Sequence, residues 1–212
     1  MNKTINFGRH PSEKLQQLFS QKPFQIQEPE KARIIFLGLD ANWDEHIERD
    51  ELFFKEVLDY LTDGIGYWKK NNFHTPMLSP SYKGKRAGKR YHQKFSKLGF
   101  TSKNAEDICF IELLNCCTFG NSSKNEKLFM EMVRADDNKK HLDRIRNLSK
   151  KDNILICIPG SKDFKRIIDE LKLFDTNDKT KIKEHTHFSF PFITNNALKK
   201  LGEELQEFLK RK

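Results

Sequence analysis

Three side chains of different chemistry stand at strand-end signals in this sequence, two after apolar runs and the third in a late mixed segment. Asp40 stands in Gly38-Leu39-Asp40-Ala41-Asn42-Trp43, Asn115 closes Glu112-Leu113-Leu114-Asn115, and His187 stands in His185-Thr186-His187-Phe188-Ser189. A carboxylate can stabilise positive charge and orient a water, an imidazole can steady a departing anion, and a side-chain amide donates and accepts at once. A fourth run, Ile154 to Ile158, breaks at Pro159-Gly160. If these runs are parallel strands, the three polar groups project from one edge of a sheet, where ligands of open α/β folds bind. Each residue also suits a plainer role. Asp40 fits a turn or helix cap, Asn115 a strand-exit turn, and His187 a partly buried strand position. His185 competes with His187, because one residue of register exchanges the side chains facing the site. Asn42 and Asp44 are the alternatives for placing a water.

The elements that must position these groups follow from apolar spacing. Ser12 to Ser20 is predicted to be a helix, followed by an extended tether with Pro23 and Pro29. Arg33 to Leu39 is a near-continuous apolar run, as in a parallel strand buried on both faces. Leu52, Phe53, Val57, Leu58 and Leu61 repeat at helical spacing, and Gly64 and Gly66 are expected to end that helix. A loop over 71–88 leads to a helix from Lys89 to Leu98, stopped by Gly99. Strands are expected over 107–114, 153–158 and 181–188, and helices over 124–134, 138–149, 161–171 and 195–209. This order predicts a three-layer α/β/α sandwich with a central four-stranded, mainly parallel sheet. It would form one domain over 1–212, with 1–30 as N-terminal helix and tether.

Charge divides the chain unevenly. The formal net charge is +9 over 212 residues. From Gly64 to Ala105 there is no Asp or Glu, while Lys69, Lys70, Lys83, Lys85, Arg86, Lys89, Arg90, Lys94, Lys97 and Lys103 all fall there. Tyr67, Trp68, Phe73, Tyr82 and Tyr91 are interleaved with them. Cations for phosphates and rings for bases or sugars are what a nucleic-acid surface needs. A solvated lysine-rich face is the plainer alternative. No apolar run is long enough to span a membrane, and the N-terminus has no apolar signal region. Cys109, Cys116, Cys117 and Cys157 lack the paired spacing of a zinc site and read as buried free thiols in a reducing cytoplasm. A cytoplasmic, membrane-free protein is therefore expected, with no obligate protein partner and a monomer as the default.

The ordered motifs resemble the uracil-DNA glycosylase superfamily, over nearly the whole chain from about residue 31. Gly38-Leu39-Asp40-Ala41-Asn42 stands where that family's best-known branch has Gly-Gln-Asp-Pro-Tyr. Leu113-Leu114-Asn115 matches its middle strand end, and His187-Phe188-Ser189 its histidine followed two residues later by serine. The family's Pro and Tyr are Ala41 and Asn42 here, and prolines of its last motif are Phe188 and Phe190, so the chain is a divergent match. The resemblance implies a monofunctional DNA glycosylase of base excision that flips a base out of DNA and needs no metal or cofactor. The base would be deaminated, damaged or modified, in DNA repair or anti-phage defence. Breaking an N-glycosidic bond builds positive charge on the sugar and negative charge on the base. Asp40 would stabilise the former and orient water, with Asn42 as the second candidate, and His187 would stabilise the latter. Asn115 would read the base edge. Trp43 or Phe54 would stack on the base, with Phe53, Phe73 and Tyr82 as alternatives. Lys83, Lys85, Arg86, Lys89, Arg90, Ser189 and Phe190 would contact DNA, Phe190 or Phe192 as a wedge. Asn121-Ser122-Ser123 offers donors to phosphate or a plain helix cap. Two other readings stay open: a non-catalytic nucleic-acid-binding protein, and a metal-dependent nuclease using Asp40, Asp44 and Glu112.

Overall fold

The computed structural model describes residues 6–84, 87–175 and 181–211. In chain order the strands are β1 (Phe7–Arg9), β2 (Gln25–Ile26), β3 (Ile34–Gly38), β4 (Ala41–Asn42), β5 (Ile108–Glu112), β6 (Cys117–Gly120), β7 (Leu155–Pro159) and β8 (Ile182–His185). The α-helices are α1 (Glu13–Gln21), α2 (Glu51–Thr62), α3 (Gly64–Asn71), α4 (Ala87–Phe95), α5 (Glu126–Val133), α6 (Asp136–Ser149), α7 (Lys162–Glu170) and α8 (Asn195–Lys210).

The larger sheet has five strands in the order β2-β5-β3-β7-β8. The β5–β3, β3–β7 and β7–β8 ladders are parallel and β2–β5 is antiparallel, so the sheet is mixed. Its interior strands carry no polar side chain except Glu112 at the end of β5, because both faces are covered. Ile34 and Phe36 join one core while Ile35 and Leu37 join the other; Ile108 and Phe110 divide from Cys109 and Ile111 in the same way. Helices α1 to α4 and α8 pack on the first face, and α5 to α7 on the second. Helix α7 illustrates the local logic. Ser161 caps it, accepting from the Phe164 amide at 3.3 Å, and Phe164, Ile167 and Ile168 turn one face inward. Each such buried side chain stabilises the fold by about 1.5–3 kcal/mol.

Several expectations need correction. The sheet is five-stranded and mixed, not four-stranded, because Gln25–Ile26 of the presumed tether adds an antiparallel edge. A second, three-stranded sheet, β1-β6-β4, carries the N-terminal segment and the chain after Asp40. Gly64 and Gly66 begin a helix instead of closing one: Asp63 ends α2 and caps α3, accepting from the Gly66 amide at 2.9 Å. Gly120, with φ +84°, sits so close to β1 that a Cβ would meet the Asn6 carbonyl oxygen at 1.9 Å. Glycine is what lets β6 leave the small sheet there.

Parallel register fixes where the site lies. Gly38 stands opposite Glu112, and Pro159 opposite His185. The residues that follow β3, β5, β7 and β8 therefore all emerge at the same carboxyl edge.

Candidate functional site at the carboxyl edge

Asp40 follows β3 by two residues and is held by a polar cage. Its Oδ2 accepts from Thr118 Oγ1 at 2.5 Å and Asn42 Nδ2 at 3.3 Å, and its Oδ1 from Ser122 Oγ at 2.8 Å. Asn42 also donates to the Gly120 carbonyl at 2.9 Å. The short β4–β6 ladder, with Asn42 opposite Thr118, builds this cage. Asn42 therefore works on the carboxylate as a positioning group. Thr118 was not foreseen, and Ser122 was read only as a phosphate donor or cap, because only pairing across some 80 residues brings them to Asp40.

Beside Asp40 stands a second carboxyl, Glu112. Burial, and then the charge of Asp40, push its pKa up to about 8. Gln25 Nε2 donates to its Oε1 at 3.1 Å, and the Tyr60 hydroxyl donates to Gln25 Oε1 at 3.1 Å. Behind it, His141 Nε2 holds the Glu112 carbonyl at 2.7 Å. Tyr91, from the basic helix α4, faces this carboxyl; burial first and Glu112 second raise its phenol well above the usual value. On its other side the Tyr91 ring lies 5.5 Å from His187 and 5.1 Å from Phe188. Tyr91 thus neighbours both Glu112 and the imidazole of His187, and the sequence placed it only among the interleaved aromatics.

His185 and His187 differ in depth, not in face. His185 is buried and stacked on Phe188 at 4.4 Å, its pKa pushed down to about 4 chiefly by burial. His187 lies at the surface of the loop, yet the surrounding protein lowers its pKa as well. The Ser189 amide donates to His187 Nδ1 at 3.2 Å. A nitrogen that accepts carries no proton, so the neutral ring holds its hydrogen on Nε2. The Phe190 amide closes the turn on the His187 carbonyl at 2.8 Å. Beyond it Phe190 and Phe192 are 50% and 79% exposed, their rings 5.6 Å apart.

Other expected residues are placed differently. Asn115 turns toward α6: its Nδ2 donates to the Asp137 carbonyl at 2.7 Å, and its amide to Asn138 Oδ1 at 3.0 Å. Trp43 and Phe54, 4% and 8% exposed, are enclosed by the core and offer no open ring face. The alternation after Asp40 sends Trp43 inward, where its indole N–H is buried and meets no hydrogen-bond acceptor among the described residues. Phe53 is buried too and packs on Tyr82 at 4.7 Å. Asn121 is a cap, accepting from the Lys124 amide at 3.2 Å. Lys83 and Arg90 are exposed, and Lys89 lies 5.4 Å over the Tyr82 ring. Lys94 ties α4 to the loop after β8 through the Ile193 carbonyl, and Lys97, just past α4, reaches Asn195 Oδ1 at the start of α8, each at 3.0 Å. Lys85 and Arg86 fall outside the described residues. The four cysteines are free and buried. Among the described residues no three His, Cys, Asp or Glu side chains are grouped to hold a metal ion, and no helix is long and apolar enough to cross a membrane.

No family model, curated protein or solved structure matches this chain.

Proposed function

We propose that the chain is a DNA glycosylase, hydrolysing the N-glycosidic bond of a deaminated, damaged or modified base turned out of the helix. The observation that carries this reading is the Ser189–His187 hydrogen bond at the carboxyl edge that also bears Asp40. It leaves a neutral imidazole with an N–H donor, the form suited to receive negative charge from a departing base without first losing a proton. Asp40, fixed by three hydrogen bonds, would stabilise the cationic sugar and orient water. The order of motifs, which resembles the uracil-DNA glycosylase superfamily, supports the same reading, as do helices on both faces of the larger sheet. Lys83, Lys89 and Arg90 would hold phosphates, with Ser189 and Phe190 entering the duplex beside the extruded nucleotide.

Water is the nucleophile in this scheme and no metal takes part. The test is a base-release assay in chelator on labelled oligonucleotides carrying uracil, hypoxanthine, oxidised pyrimidines and modified cytosines. Abasic sites formed by the native chain and lost in Asp40→Asn support the reading. A second reading, DNA binding without base release, is favoured by one feature: Asn115 spends an amide hydrogen on Asp137. Salt-sensitive binding with no base loss across the panel would favour it over the enzyme.

A further inference from the structure

Glu112 is a titratable group at this edge that the proposed reaction does not use. It closes β5, and its Oε2 lies where a Cβ on residue 38 would come within 2.1 Å. The glycine of the neighbouring strand therefore leaves that oxygen its space. Oε1 is held from below by Gln25, itself held by Tyr60. The titratable groups that face the side chain are Asp40 after β3, Tyr60 of α2, Tyr91 of α4, Cys109 of its own strand and Cys117 of β6. His141 of α6 meets its backbone carbonyl and not its carboxyl. Among the described residues no lysine or arginine forms a salt bridge with it. Glu112 is half-buried, not sealed, and lies near both Asp40 and Tyr91, the ring that leads to His187.

We propose that Glu112 reads the substrate base, donating a hydrogen bond in its carboxylic acid form to a carbonyl or ring-nitrogen acceptor. This rests on the glycosylase reading, in that the ligand is an extruded base. The acid form prevails at neutral pH because burial and Asp40 push the pKa up to about 8. A carboxylic acid presents a donor and an acceptor side by side, as an amide does; a carboxylate only accepts. Glu112 thereby supplies the base-edge contact for which Asn115, turned to Asp137, is not placed. Once ionised it loses the donor and repels Asp40, so base recognition weakens on the alkaline side.

The test compares affinity for a duplex bearing each candidate base with that for the same duplex bearing a stable abasic analogue. Sugars fluorinated at the 2′ position resist cleavage and keep the base in place. The native chain should show a base-dependent gain in affinity that falls about tenfold per pH unit above roughly pH 8. Glu112→Gln, an amide of the same shape, should keep the gain and lose that pH dependence. Glu112→Ala should lose the gain by about tenfold or more, with thermal unfolding checking that both variants fold. A Gln variant as poor as the Ala variant, or one with the native alkaline limb, overturns the assignment, as does a panel on which no base improves on the abasic duplex. Base release is scored separately. A base-dependent gain without release defeats the enzyme and leaves the Glu112 assignment standing.

Discussion

Asp40 and Glu112 are neighbouring carboxyls that their surroundings treat in opposite ways. Asp40 is wrapped in three donors, whereas at Glu112 burial and a like charge outweigh the hydrogen bonds from Gln25 and the Gly38 backbone. Asp40→Asn should lower base release by at least about a hundredfold while DNA affinity stays nearly unchanged; an equally active variant would move the role to Asn42 or Asp44. Glu112 also predicts a pH-dependent stability. Its folded pKa is raised from 4.5 to about 8, so between those values the unfolded chain gives up a proton that the folded chain keeps. Stability must fall as pH rises through that window. Glu112→Gln removes the cost and should stabilise the protein at pH 7 by about 1–3 kcal/mol, read from denaturant titrations at pH 5 and 7. Asp40 was legible in the sequence because a polar residue after an apolar run marks a strand end, whereas His187 follows the mixed segment 181–186 and stood out by its spacing to Ser189. Glu112 entered only the nuclease reading and was given no part in the glycosylase site, because it sits within an apolar run, where its charge looks like part of a strand. Trp43 misled for the converse reason, since nearness in sequence to Asp40 says nothing about which way a ring turns.

The basic helix α4 is seated on the sheet by an uncharged pair, His74 and His92, with His74 Nε2 and His92 Nδ1 2.9 Å apart. Both are packed against Phe110, and His74 also against Trp68 and Phe95. Burial lowers both pKa values, that of His92 to about 3. Below the ordinary histidine value of 6.5 the unfolded chain therefore binds protons that the folded one refuses. Stability should be full above that pH and decline as pH falls from 6.5 toward 3. Melting curves across this range should show the loss, and His74→Gln should flatten it. On the other face Asn138 is the staple of the site. Its side chain serves the Leu113 and Val133 carbonyls, each at 2.9 Å, and the Asn115 amide at 3.0 Å. Asn138→Ala should cost about 2–3 kcal/mol of stability, measurable by chemical denaturation. Most helices and the apolar strands β3, β5 and β7 were legible, because burial on one face or two writes itself into spacing. The pairs β2, β4 and β6 were not. Strands of two to four residues carry too little pattern, and their partners lie far away in the chain.

At the scale of the molecule the excess charge is concentrated on one side of the site. Helix α4 and its flanking loop carry Lys83, Lys89 and Arg90, and α4 is tied to the loop that exposes Phe190 and Phe192. If this face grips DNA, replacing those three cations by Gln should reduce the slope of log affinity against log salt by about 3. Phe192→Ala should leave stability within about 0.5 kcal/mol, as for an exposed side chain, yet weaken DNA binding in the same titration. The cysteines bear on how such measurements can be made. All four are buried, and burial raises every one of their thiol pKa values, that of Cys116 to about 11. Maleimide dyes at neutral pH thus have no ready target on the native fold. A fluorophore carried by Phe192→Cys would report from that one position, with every natural thiol left in place.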